Sequence, residues 1–359
     1  MKCRYQIVVL VALLFSACAF GAVRKEIRIP DITGYRTLKC DFHMHTVFSD
    51  GNVWPTVRVD EAWREGLDAI AISDHIEYHP HKGDIPTNHA RPYEIAAPRA
   101  KDLNILLIRA AEITRDTPPG HYNALFVKDI AALDIKDFLT QIKAANDQGA
   151  FVFWNHPGWK QSKPDESYWF DIHKTLVDGK LIQGIEPFNG DEYYKDAHTW
   201  AGQYNLTLMG NSDEHSPFDP PTENHANHRT MTLVFAKDRS LDAIREALNA
   251  GRTAVWAMNQ IAGKEEFLKP LFESSVEFMP VHHRSGTTAI LEIRNKSDVP
   301  FELGRKRTDK PLVLEPNSTT ILKPTVNKET GKADLKFEVR NLLIEPDKGL
   351  PITVTISAP

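Results

Sequence analysis

The sequence predicts an α/β protein, a mostly parallel sheet with helices outside it, followed by a small all-β sandwich-like domain. Three observations carry this. Apolar runs of strand length alternate with helical segments to about residue 260. Residues of metal-ligand type follow several of those runs. Beyond about residue 265 the pattern changes to short period-two segments. Repeated β-then-α order implies parallel strands joined by outer helices. In a barrel of that kind, chemistry gathers on the loops at the C-terminal strand ends. The expected division is a leader at 1–21, a barrel domain at 22–264 and a β domain at 265–359.

The chain has 359 residues, 42% hydrophobic and 25% charged, which is ordinary for a globular protein of one barrel-sized domain and a smaller one. Its formal charge of −5 grows more negative when Lys2 and Arg4 leave with the leader. That balance argues against long nucleic acid as a partner. Lys2 and Arg4 precede an apolar stretch at residues 7–15, too short to span a bilayer. Ala19-Phe20-Gly21 suits cleavage after Gly21, so the mature chain is expected to be periplasmic or secreted. The rival reading is a lipoprotein signal ending before Cys18, where Ser16-Ala17-Cys18 is a degenerate lipidation box. A lipid on Cys18 would then be the membrane contact. Cys3 and Cys18 lie in the leader, which leaves Cys40 with no disulfide partner.

The first strand, Thr37-Leu38-Lys39-Cys40-Asp41-Phe42, runs into His43-Met44-His45 and then Asp50-Gly51. Residues i and i+2 of a strand point to one side, so both imidazoles can face one point, a good start for a divalent metal. A helix follows at 55–66, with Pro at its start and Gly at its end. Strand candidates come next at 67–72, 104–109, 122–127, 150–154, 184–188, 206–210 and 231–236, with clear helices at 136–148 and 240–250. Ser73-Asp74-His75 ends the first of these strands, and Glu112 follows the second. Asn155-His156-Pro157-Gly158 and Asp213-Glu214-His215 likewise follow apolar runs. Residues 78–98, rich in His and Pro, interrupt the alternation and read as an active-site lid or wall. In the C-terminal region, strands are expected at 288–294, 312–314, 319–322, 335–339 and 352–356. With no ligand cluster there, that region reads as structural, or as a surface for another protein or domain.

This ordered series, His43-x-His45 with Asp50-Gly51, Ser73-Asp74-His75, Glu112, His121, Asn155-His156-Pro157-Gly158 and Asp213-x-His215, resembles the PHP (polymerase and histidinol phosphatase) metallohydrolases. The segment 241–255 resembles the family's closing helix and strand. The resemblance covers roughly residues 36–260 and implies a distorted (β/α)7 PHP barrel with two or three divalent ions. It implies that His43, His45, Glu112 and Asp213 hold the first ion. Glu112 would bridge to a second ion on His121 and His156. Asp50, His75 and His215 would hold a third. Some family members carry histidine where Asp50 stands. Mixed N/O ligands do not choose among zinc, manganese and iron.

The chemistry expected is hydrolysis of a small phosphorylated substrate by a hydroxide bridging the first two ions, since a bound divalent ion lowers the pKa of its water to roughly 7. Asp213 or His215 would move the proton. Phosphate would want a cation, and Arg115 and Lys160 stand first, before Arg91 and Arg229. His79 reads equally as a pocket residue or an ordinary surface one. His81, His89, His225 and His228 lie in polar loops and read as solvated, whereas His173, His198, His282 and His283 read as structural or exposed. Singly each motif has a bland reading; jointly, each after an apolar strand, they favour a phosphoesterase, most simply a phosphomonoesterase. The alternatives are a non-catalytic metal- or ligand-binding protein, or hydrolysis of phosphodiester or non-phosphate bonds.

Overall fold

A computed structural model describes residues 23–86, 88–159, 167–218, 228–305 and 309–358; the proposed leader and Lys160 fall outside these. The barrel strands are β1 (Arg36–Asp41), β2 (Ala69–Ile72), β3 (Leu106–Ile113), β4 (Tyr122–Leu125), β5 (Phe151–Trp154) and β6 (Gly184–Asn189). They continue with a two-residue β7 (Glu192–Tyr193), β8 (Thr207–Asn211), β9 (Met231–Ala236), β10 (Thr253–Ala257) and β11 (Gln260–Gly263). The ladders β1–β2, β2–β3, β5–β6 and β6–β8 are parallel. β4 is antiparallel to both its neighbours, and β9 to β1 and β10. The sheet is therefore less parallel than its alternation suggests. The link between β3 and β4 is too short for the crossover helix that a parallel pair needs.

β8 meets β9 and β10 through side chains. Thr232 Oγ1 donates to the Gly210 carbonyl at 2.8 Å and accepts from its N–H at 3.0 Å, and Thr253 Oγ1 donates to the Leu208 carbonyl at 2.7 Å. A Cβ on Gly210 would come within 2.2 Å of Val255 Cγ1, so only glycine allows the approach.

Helices α1 (Pro55–Arg64), α2 (Arg91–Asp102), α3 (Phe138–Asp147), α4 (Asp171–Asp178), α5 (Lys195–Gln203) and α6 (Leu241–Asn249) surround the sheet. Local chemistry sets their starts. Pro55 fills the first turn of α1, where no N–H partner is lost, Asp137 accepts from Thr140 N at α3, and Ser240 accepts from Ala243 N at α6. Ala243, Ile244, Ala247 and Leu248 give α6 one buried face at helical spacing. α2 corrects the expectation of a lid for its part of 78–98. Pro92 sits in its first turn, Ala96 and Ala100 are buried, and Arg99 Nε donates to Asp60 of α1 at 2.7 Å. This packing holds a helix despite Pro98 inside it.

A further helix, α7 (Glu265–Ser275), leads into an all-β C-terminal domain. One sheet holds β12 (Val276–Phe278), β13 (His283–Ser285), β14 (Thr288–Asn295) and β17 (Ser318–Leu322). The other holds β15 (Phe301–Gly304), β16 (Leu312–Leu314), β18 (Lys332–Glu345) and β19 (Lys348–Ser357). Alternate residues Ala289, Leu291 and Ile293 of β14 bury in a core with Phe301, Phe337 and Val339. The domain is tied firmly to the barrel. β18 pairs with β11, Ile261 opposite Leu342, and one hydrophobic core runs through both domains. The N-terminal segment adds Arg28 N to Asp298 Oδ2 at 2.7 Å. No helix among the described residues is long and apolar enough to cross a membrane.

Candidate metal centre

The motif residues extend the barrel's backbone pairing past the strand ends. Asp213 N donates to the His43 carbonyl at 2.9 Å and His45 N to the Glu214 carbonyl at 2.9 Å. Ser73 N donates to Met44 O, Glu112 N to Asp74 O and Asn155 N to His121 O. The segments that carry His43, His45, Glu112, His121 and Asp213 are thus fixed by hydrogen-bonded backbone. His121 precedes an antiparallel strand, so β4 presents its N-terminal end at the same rim where its neighbours present their C-terminal ends.

The nine histidines and carboxylates read from the sequence as ligands converge here. His43 Nε2 and His45 Nε2 each lie 3.1 Å from Asp213 Oδ1. Glu112 Oε1 is 3.0 Å from His121 Nδ1 and 3.6 Å from both His43 Nε2 and His156 Nε2. Asp50 Oδ1 is 3.3 Å from His75 Nε2 and from His215 Nε2. Four overlapping groups have geometry for an ion: His45, Asp50, His75 and His215; His43, His45 and Glu112; His43, His156 and Asp213; and His75, Glu112 and His121. His156 therefore groups with His43 and Asp213, and His75 also faces Glu112, so sharing extends beyond the single bridge through Glu112 that the resemblance implies. His43 Nε2, His45 Nε2, Asp50 Oδ1, Glu112 Oε2 and Asp213 Oδ1 are buried without a hydrogen bond. Buried polar atoms are rarely left so. Five of them facing one another fit divalent cations.

Electrostatics agree. Burial disfavours charge on His43, yet Asp213, Glu186 and Glu112 hold its pKa well above the ordinary value. Burial, with the neighbouring His75, pushes His45 down to about 3. Burial opposes charge on His75 too, but Glu112 and Asp50 raise it to about 10. Despite burial, neighbouring imidazoles keep Asp50, Glu112 and Asp213 below the usual carboxylate range. Three ionised carboxylates crowded at one point call for cations.

A solved two-domain protein from Bacteroides vulgatus ATCC 8482, containing a predicted PHP-like metal-dependent phosphoesterase, is 43% identical to this chain, with a TM-score of 0.89 over 94% of this chain and 100% of its own. This chain belongs to the PHP-like metal-dependent phosphoesterases. An Ig-like domain family matches residues 276–355. More distant are a candidate metal-dependent phosphoesterase from Bifidobacterium adolescentis ATCC 15703 (17% identity, TM-score 0.40, 58% of this chain and 95% of its own) and an amidohydrolase from Chromobacterium violaceum with bound sulfate (16%, 0.39, 61% and 97%). No curated protein matches the sequence.

In this PHP-like phosphoesterase a second ring of side chains holds the first. Glu186, unremarked in the sequence because it sits in an apolar strand, is fully buried on β6. It faces His43 Nδ1 at 3.2 Å and accepts from Asn211 Nδ2 at 2.8 Å and from His156 N at 3.1 Å. A carboxylate on Nδ1 fixes the proton there and leaves Nε2 turned to the metal position. Asp74 accepts from Thr46 N, Thr46 Oγ1 and Ser49 Oγ, each at 2.6 Å. Burial raises its pKa more than these bonds lower it. Buried Arg58 donates to the carbonyls of His45 and Glu214, joining the two ligand loops. Gly51 is forced by space, since a Cβ there would lie 2.6 Å from the His45–Thr46 backbone. His156 (φ 27°) and Asp213 (φ 53°) adopt left-handed backbone, a strain that surrounding structure sustains at functional sites.

The centre forms the floor of a cleft of about 750 Å³ walled by Glu77, Tyr78, Thr114, Arg115, Asp116 and Trp159. Of the proposed substrate cations, Arg115 lines it, but its guanidinium is held by Glu77, by Gln141 Oε1 at 2.6 Å and by the Ile135 carbonyl at 3.0 Å. Arg91 pairs with Glu94 on the exposed start of α2, away from the cleft. Arg229 does not line the cleft and is buried against Asp41 at 3.0 Å and Phe218, with Nε and Nη2 making no hydrogen bond. His79 does not line the cleft either: its ring nitrogens face the Phe48 and Ile76 carbonyls at 2.8 Å. His228, expected to be solvated, stacks on Trp256 at 3.5 Å. His89 is only 10% exposed in its side chain and packs near His79. Lys160 and His225 lie outside the described residues.

Proposed function

We propose that this protein is an exported phosphomonoesterase acting on a small phosphorylated substrate with two or three divalent ions of zinc, manganese or iron. The observation that carries this is the convergence of five buried ligand atoms without a hydrogen bond, those of Asp50, Glu112 and Asp213 on the lining of an open cleft and those of His43 and His45 behind them. His43, His45, Glu112, Asp213, His121, His156, Asp50, His75 and His215 would hold the ions. Once bound, such ions supply Lewis acidity to phosphoryl oxygens and bring the pKa of a water down to roughly 7.

The chain's own residues do the rest. Glu186 keeps the His43 proton on Nδ1, and Asn155 Nδ2 orients Glu112 by donating to Oε1 at 2.8 Å. His215 Nδ1 faces the Asp213 carbonyl at 2.7 Å and so carries its proton there. With Nε2 on an ion and the Nδ1 proton on that carbonyl, His215 moves a proton only when free of metal, which leaves Asp213, 18% exposed in its side chain at the cleft, as the group placed to do so. The export reading rests on the leader pattern of residues 1–21.

The test is phosphate release by the leaderless protein, reconstituted with manganese or zinc, across a panel of phosphomonoesters, with metal content measured on the same sample. Release that disappears in Asp213→Ala is the expected result. Silence from fully metallated protein would overturn the monoesterase reading and turn attention to diesters or non-phosphate bonds.

A further inference from the structure

Arg58 is fully buried, where a guanidinium persists only with its charge paired and its donors occupied. It sits on α1 one turn before Glu61, also buried, and the two pair at 2.8 Å. Its donors also reach main chain. Nε donates to the His45 carbonyl at 2.9 Å, Nη2 to that of Glu214 at 2.8 Å and Nη1 to that of Ser216 at 2.7 Å. The last two carbonyls flank His215. Glu61 Oε1 accepts from Phe218 N at 2.9 Å, so the pair grips the loop after β8 at three points.

These bonds converge on one of the four ligand groups. His45 and His215 stand together with Asp50 and His75. Of the other three groups, one contains His45 and none contains His215. Asp50 is tied to the same loop, because Asn52 N donates to the His215 carbonyl at 2.7 Å. The main chain of His45 and Asp213 has further support: His45 N donates to Glu214 O and Asp213 N to His43 O, each at 2.9 Å. His215 lies past those bonds, with a side chain about one-third exposed. A ligand on a loop is placed only as well as its supporting shell holds it. Bonds from a charged donor are roughly twice as strong as neutral ones.

We propose that Arg58 is the positioning residue for one ion, the ion that Asp50, His75 and His215 would hold. It fixes His215 against Asp50 by gripping the carbonyls on either side of that histidine, and it touches no ligand atom itself. The inference rests on the metal-centre reading. Lysine cannot take its place, since a single ammonium does not span three carbonyls and a carboxylate as the planar fork does.

Equilibrium dialysis of the full mature chain against manganese tests this, with circular dichroism of each variant. His215→Ala should bind one ion fewer than wild type. Arg58→Lys should bind that same ion about tenfold more weakly, as loss of an outer partner does, and the other ions like wild type. The double variant should match His215→Ala alone, since both changes act on one site. Glu61→Gln keeps an oxygen for Phe218 N but removes the charge that holds Arg58. It should weaken the same ion by less, and it carries the test if Arg58→Lys does not fold. Equal weakening of every ion, or a double variant that binds the remaining ions more weakly than His215→Ala, would reduce Arg58 to a general part of the core and overturn the inference. Wild-type binding in both Arg58→Lys and Glu61→Gln, or no ion lost in His215→Ala, would overturn it too and leave the metal centre standing. A wild type that binds no manganese would overturn the centre itself.

Discussion

The Glu186 carboxylate lies 3.2 Å from His43 Nδ1, and neither side chain reaches solvent. The opposite nitrogen, Nε2, has no hydrogen bond and stands 3.1 Å from Asp213 Oδ1. A proton held on one side of the ring thus prepares a lone pair on the other. Glu186→Gln should lower metal affinity about tenfold to a hundredfold, the usual effect of losing such a partner. Equilibrium dialysis against manganese measures it, and unchanged affinity would refute the assignment.

Asp213 and His79 separate the centre from its surroundings. Asp213→Ala removes the carboxylate that faces both His43 and His45. It should abolish turnover and reduce bound metal. His79 links the Phe48 and Ile76 carbonyls, so His79→Ala should lower thermal stability modestly and retain metal. Metal analysis of both variants settles this; equal metal loss in the two would bring His79 into the centre.

Metal should stabilise the fold strongly. Without ions, one ligand atom each of His43, His45, Asp50, Glu112 and Asp213 is buried with no hydrogen bond. A ligand at a hundredfold excess over its Kd stabilises by about 2.7 kcal/mol. Chelation should therefore lower Tm, and added manganese or zinc should raise it in proportion to the logarithm of its concentration. A Tm indifferent to both would count against the site.

Two buried histidines away from the centre set an acid limit. Burial lowers His173 to about 4, its ring 3.8 Å from that of Trp154, and lowers His198 to about 4 as well. Above pH 6.5 each ring is neutral folded and unfolded, so its share of stability is fully present. As pH falls from 6.5 towards 4, the unfolded chain takes up a proton that the folded one refuses, and stability drops. Below about 4 the loss levels off. Chemical denaturation between pH 7 and 4 should show a shallower decline in His173→Phe than in wild type, and parallel curves would contradict this.

Barrel closure depends on the missing side chain of Gly210. Gly210→Ala places a Cβ against Val255, which should cost about 1–3 kcal/mol. A lower urea midpoint with an unchanged slope would show it. A midpoint equal to wild type would mean that β8 and β10 part freely.

By itself the sequence determined most of the barrel's strands, the period-two domain after it and the motif residues at the strand ends, because each rests on local spacing; α2, inside the His- and Pro-rich stretch, it did not. His43-x-His45 is readable since alternation sends i and i+2 to one side, and Asp213-x-His215 since it ends an apolar run. Tertiary structure decided what lies across the barrel. Glu186 looks like any polar residue in an apolar strand until β6 brings it to His43, about 140 positions away in the chain. Arg229 and His79 have the chemistry of substrate ligands, but the fold sets Arg229 against Asp41 and His79 between two main-chain carbonyls, both off the cleft lining. The partners that a charged side chain finds depend on strands distant in sequence, and only the closed sheet brings those strands together.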